Sequence, residues 1–282
     1  MLLAQPVVAA GRRILDRYGA AGGGLLAGGL AYAALFAIVP GVLLLAGVTG
    51  LFVADPAERA RVVDVLAGVL PPLRELITVV LDEVAEGAGP VSVLGAVVLV
   101  WGTSRFAVAF DDGIARVMGG SRSRGLLRRN LGALGAVALM IVAILLSTIL
   151  SGVLAFLEVA AAAGVIPFLG MAVSIGLGVL PVLATMVATM LVYRVVPVPS
   201  PPWRAVVVPG IAVGLALTIL ARAFAYVAPQ LIGAAALLGA LATAFAALAW
   251  LGLSFQAVLI GAAWVRDRAD RQPPSGAKPI RT

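Results

Sequence analysis

The sequence predicts an all-α, polytopic membrane protein of about six transmembrane helices, with an outer amphipathic helical hairpin between helices 1 and 2. Three observations carry this expectation. Of 282 residues, 62% are hydrophobic and 12% are charged, which leaves too little polar surface to cover a soluble globule. The apolar residues fall in blocks near or above the roughly 20 residues that a helix needs to span hydrocarbon. Lysine and arginine gather in alternate connections between those blocks, the pattern that fixes orientation in a bilayer.

Taken in order, residues 1–24 form a basic segment in which Arg12, Arg13, Asp16 and Arg17 oppose Val7, Val8, Ile14, Leu15 and Tyr18, as in an interfacial helix lying among anionic headgroups. The basic group follows the mildly apolar start of the chain instead of preceding it, so no cleavable signal peptide is expected. The membrane domain is 25–265, with spans at 25–53, 91–110, 131–156, 171–193, 203–228 and 232–265. The long final block either tilts or projects into water.

Within it, 54–90 is the one sizeable extramembrane piece. It carries seven acidic residues against three arginines. Glu75, Thr78, Asp82 and Glu86 recur at helical spacing opposite Leu73, Leu76, Ile77, Val80 and Val84, behind Pro72, which describes an amphipathic helix. A shorter helix over 57–69 completes a hairpin that either lies on the outer surface or covers a cavity. The tail, 266–282, has no apolar pattern and includes Pro273, Pro274, Ser275 and Gly276, so it is expected to be disordered.

Fifteen of the twenty basic residues lie in the N-terminal segment, in 116–129, in 194–204 and after Val265. By the positive-inside rule these connections and both termini are cytoplasmic, in a plasma (inner) membrane.

The chain has no cysteine and no histidine, which removes disulfides, thiolate sites and imidazole chemistry. No cofactor, metal or catalytic residue is expected, and the basic residues sit in short juxtamembrane loops without a nucleic-acid motif. The expected partners are membrane lipids and not nucleic acid; homo-oligomerisation is left open.

The candidate cavity or hinge residues are Tyr32, Pro40, Arg105, Pro181 and Arg222. Pro40 and Pro181 each remove a backbone hydrogen bond near mid-span, which either opens a transport cavity or is repaired by neighbouring helices. Arg105, five residues before Phe110, and Arg222, six before Ala228, either snorkel from the ends of their spans or face a cavity and bind anions. The candidate packing residues are Gly210 and Gly214, and Ala235, Gly239, Thr243 and Ala247, spaced so that helix backbones can approach closely. No carboxylate lies at mid-span, which disfavours ion-coupled carriage.

In order along the chain stand Leu30-Ala31-Tyr32, Ala33 to Pro40, Trp101 to Arg105, Asp112 to Gly119, Tyr193, Pro197, Trp203, Pro209-Gly210, Phe224, Tyr226, Trp250-Leu251 and Leu259 to Ala262. Together these resemble the YihY/BrkB family of bacterial inner-membrane proteins, formerly misnamed the ribonuclease BN family, from about Arg12 to Val265. The chain departs from the family pattern at Ala115, at Ile232-Gly233 and at Ala263, where the family often has Asn, Tyr-Gly and Glu. The resemblance implies a role in envelope maintenance, serum resistance or transport. Two functions follow as expectations: transport or accommodation of a lipid or other amphipathic molecule, and, as the alternative, a non-transporting membrane scaffold.

Overall fold

The computed structural model describes residues 4–52, 89–119, 167–234 and 240–271. The expected span at 131–156, the hairpin apart from Gly89 and Pro90, and the tail beyond Arg271 lie outside the described residues. Those residues form six helices and no strand: α1 (Ala4–Ala20), α2 (Gly23–Phe52), α3 (Gly89–Met118), α4 (Pro167–Val195), α5 (Trp203–Ala234) and α6 (Ala240–Asp270).

Among the described residues, three stretches are long and apolar enough to cross a membrane, namely Gly178–Val195, Trp203–Val227 and Leu241–Asp270. Val8–Ala20 and Gly23–Ile38 qualify only as a pair, bent by 62°. The charges divide that pair: α1 holds Arg12, Arg13, Asp16 and Arg17, whereas α2 runs for thirty residues without one, about 45 Å of helix. The bend separates a polar entry helix from an apolar one. Gly22 makes the bend at φ 69°, a left-handed conformation that glycine adopts without a Cβ clash. Gly23 then lies under the Tyr18 ring, where any side chain would collide. Burial against this turn pushes the Tyr18 phenol up from its ordinary pKa.

Three boundaries differ from the sequence expectation. Helix α3 continues eight residues past Phe110, because the polar residues from Asp111 onward extend the same helix out of the apolar layer. Helix α5 runs through Pro229 to Ala234, since a proline forfeits one hydrogen bond without requiring a stop; the expected connection at 229–231 is therefore helical. Helix α6 continues to Asp270, so 266–270 is ordered helix where disorder was expected. Its charges are held by tertiary ion pairs that no local pattern announces.

Helix α6 touches each of the other described helices. Toward the end of the bundle where α3 and α6 finish, Leu30, Ile114, Val117, Tyr193, Val206, Leu259, Ala262 and Val265 form one buried cluster. Deeper in, Ala31 and Ala34 of α2 pack on Trp250 and Leu251 of α6. Phe106, Phe110 and Phe255 join the two layers with ring centroids 5.7 to 6.2 Å apart. The Trp250 indole N–H is buried with no acceptor among the described residues, a desolvation cost of about 1–3 kcal/mol.

Close approach between helices depends on small residues, as expected where lipid supplies no hydrophobic drive between them. Gly210 and Gly214 of α5 abut Met190 and Met186 of α4, two glycines one turn apart on two methionines one turn apart. Gly261 of α6 leaves room for the Tyr193 hydroxyl, which donates to the Val258 carbonyl at 2.7 Å. A methyl at Gly261 would strike that hydroxyl and, at 2.5 Å, Val213 Cγ2. Gly261→Ala should therefore destabilise the protein by about 1–3 kcal/mol, and Tyr193→Phe should return part of the loss. Thermal unfolding of the four chains of this double-mutant cycle in detergent measures the coupling; strict additivity would reject the clash as its cause.

Candidate functional site

Two regions bring polar chemistry together. The first is the charged end of the bundle. Arg13 of α1 pairs with Asp267 at 3.5 Å, and Arg17 pairs with Asp270 at 2.9 Å. Each acid is shared: Arg271 also reaches Asp267, at 2.6 Å, and Arg266 also reaches Asp270, at 2.9 Å. The Asp267 side chain is 12% exposed, so its pairs are partly desolvated. By contrast, Arg12 and Asp16 are 84% and 71% exposed and stand 3.9 Å apart, an arrangement that contributes little. Ile14 and Tyr18 face the core while Val8 and Leu15 are exposed, so α1 lies across the end of the bundle with apolar and basic side chains both accessible.

The link between α4 and α5 closes the same end. Arg194 donates to the Pro201 carbonyl at 2.9 Å and lies 5.6 Å over the Trp203 ring. Arg268 donates to the Arg204 carbonyl at 3.4 Å, which ties the end of α6 to the start of α5. A cleft of about 200 Å³ lies here, lined by Ala115, Met118, the 197–202 link, Arg266 and Asp270.

The second region is the outward surface of α2 and α3. Gly102 of α3 meets the backbone of α2 so closely that a Cβ would stand 2.6 Å from the Phe36 carbonyl oxygen. That carbonyl is the one an N–H at position 40 would occupy, and Pro40 has none. The freed acceptor therefore faces the α-carbon of a glycine, a geometry suited to a weak Cα–H···O contact. Helix α2 is continuous through Pro40, so at this position the proline serves a helix crossing. The side chain of Pro40 lies outside the described residues.

Beside this crossing, Trp101 and Arg105 are exposed, with the guanidinium 5.7 Å from the indole centroid. Tyr32 and Phe36, one turn apart on α2, are exposed with ring centroids 4.7 Å apart. At about 1.5 Å per residue, Phe36 lies about 20 Å along α2 from Gly23. The sequence set Arg105 at the end of its span, within snorkelling reach. Helix α3 runs on past Phe110 to Met118, and Arg105 stands about 9 Å along it from Asp111, where its polar residues begin.

The other candidates are dispersed. Pro181 is exposed on α4, and its carbonyl accepts from Thr185 Oγ1 at 2.8 Å; Thr189 repeats this bond to Thr185 at 2.7 Å. Arg222 is exposed on α5, about 28 Å along from Trp203, and so lies toward the opposite end of the bundle. Thr243 is half-buried and Ala247 fully buried on α6. Ala235 and Gly239 lie outside the described residues. Sequence reasoning missed Trp101 as the partner of Arg105, although their spacing of four places them on one helix face.

A protein-family model described as Virulence factor BrkB matches residues 14–280. The chain belongs to this family. No curated protein and no solved structure matches it. In this BrkB-family chain, Ala262 and Ala263 are fully buried at the charged end of α6, so the position that often carries glutamate in the family holds a methyl group packed in the core.

The shared acids give a test. Asp267→Asn should lower stability by about 1–2 kcal/mol, more in low salt than in high, whereas Asp16→Asn should change it by less than about 0.5 kcal/mol. Thermal unfolding at two salt concentrations reads both; equal effects would mean that α1 is not held by these pairs.

Proposed function

We propose that this BrkB-family chain is a six-span inner-membrane protein with cytoplasmic termini that moves or accommodates a lipid or other amphipathic molecule, without catalysis. The observation that carries the reading is Arg105, an exposed guanidinium on α3 about 9 Å along the helix from Asp111, where its polar residues begin. A cation in contact with hydrocarbon costs up to about 2.5–3.5 kcal/mol at the centre of a span by insertion scales, and less toward its end. A polar group that enters with the lipid offsets this cost; a protein with no polar cargo gains nothing from it. The orientation rests on the clustering of Arg13, Arg17, Arg194, Arg204, Arg266 and Arg268 at one end, which suits the anionic cytoplasmic surface.

The alternative, a non-transporting scaffold, draws support from the packing around α6 and from a cleft of about 200 Å³, smaller than ordinary ligand pockets of about 300–1,000 Å³. Transbilayer movement of fluorescent phospholipid in liposomes separates the two. The wild-type chain should accelerate movement over empty liposomes and over an unrelated six-span protein. Arg105→Ala should slow it, and Pro40→Ala, which restores an N–H to the Phe36 carbonyl, should change it; both variants should still insert. No acceleration by the wild type across several lipids would favour the scaffold.

A further inference from the structure

Two arginines in the described structure lie over tryptophan rings, and they differ in what else they touch. Arg194 over Trp203 gives an N–H to the Pro201 carbonyl. Arg105 over Trp101 is exposed, and among the described residues it has no ion-pair partner and no hydrogen-bond acceptor. A ring beneath a guanidinium offers its N–H groups no oxygen acceptor, so they stay available to a ligand. Those groups form a planar fork that matches two oxygens of one phosphate.

The surroundings are apolar. Trp101 is 56% exposed and, across the Gly102 crossing, Phe36 is 46% exposed. A free phosphate ion would have to leave water to reach this place, whereas a phospholipid brings its phosphate together with acyl chains that cover the rings. The nearest carboxylates along α3 are Asp111 and Asp112, about 10 Å toward the charged end. The cation of a zwitterionic headgroup therefore has no counter-charge within a turn of Arg105 on that helix, and a net-negative headgroup suits the site better.

From this we infer that Arg105 and Trp101 form a lipid site on the outward face of α3 that takes the phosphate of an anionic phospholipid in preference to a zwitterionic one. The inference deepens the function proposed above and rests on its membrane-spanning reading. Arg105 supplies the bidentate donors and Trp101 orients them; Gly102, between the two, brings the apolar surface of α2 alongside.

The test is lipid retention by the full chain. The protein is purified in micelles holding equal phosphatidylglycerol and phosphatidylcholine, washed, and its retained lipid counted by mass spectrometry. Wild type should retain phosphatidylglycerol over phosphatidylcholine. Arg105→Gln should lower that preference by about tenfold, Arg105→Lys should lower it less, and Trp101→Leu, which keeps the charge, should reduce it by about threefold. Millimolar glycerol phosphate should not displace the lipid. Equal retention of both lipids by wild type, full retention by Arg105→Gln, or displacement by glycerol phosphate would each overturn the inference. Circular dichroism on each variant establishes folding; should Arg105→Gln fail to fold, the Lys and Trp101 variants decide the result. Retention is an equilibrium quantity, so a wild type that holds phosphatidylglycerol but moves no lipid leaves this site standing and removes transport. Lipid movement combined with full retention by Arg105→Gln overturns the site alone.

Discussion

The arrangement of this bundle turns on how near α6 lets its neighbours come. Helices in lipid gain no hydrophobic energy by leaving one apolar surface for another, so van der Waals contact and satisfied polar groups hold them together. At Gly261 the backbone of α6 is bare, and the Tyr193 phenol of α4 reaches past it to the Val258 carbonyl. This contact fixes the depth of α4 against α6. Gly210 and Gly214 then set α5 on α4 through the two methionines, while Ala31 and Ala34 seat α2 on Trp250 and Leu251. At each of these contacts a side chain is small or absent on one partner and present on the other.

The prolines obey the same economy of polar groups. A proline inside a helix leaves one carbonyl without its donor, and in hydrocarbon there is no water to replace it. Around Pro40 that carbonyl, on Phe36, lies against Gly102. Along α4 the hydroxyls of Thr185 and Thr189 turn back onto carbonyls of their own helix, so their polarity is spent within the helix.

Much of the membrane class was legible, because composition and block length are properties of the chain itself. The clustering of basic residues was legible too, since loop charge needs no tertiary information. The spacing of Gly210 and Gly214 announced close contact but could not name α4 as the receiver, because the methionines carry no matching signal. The ends of α3 and α6 were misplaced for one reason: the expectation stopped each helix where its apolar run stopped, yet Asp267 and Asp270 are helical and tied to arginines at the far end of the chain. The role of Pro40 at a crossing was hidden because it acts through a carbonyl four residues earlier and a glycine on another helix.

The pairing of Arg17 with Asp270 joins residues 253 positions apart. A chain made from its N-terminus lays down α1 long before the carboxylates that hold it exist. Until α6 is complete, Arg13 and Arg17 have neither of the carboxylates that pair with them in the finished fold. The two shared acids therefore become available to the first helix only with the last one, and they join the two ends of the chain across the whole bundle between.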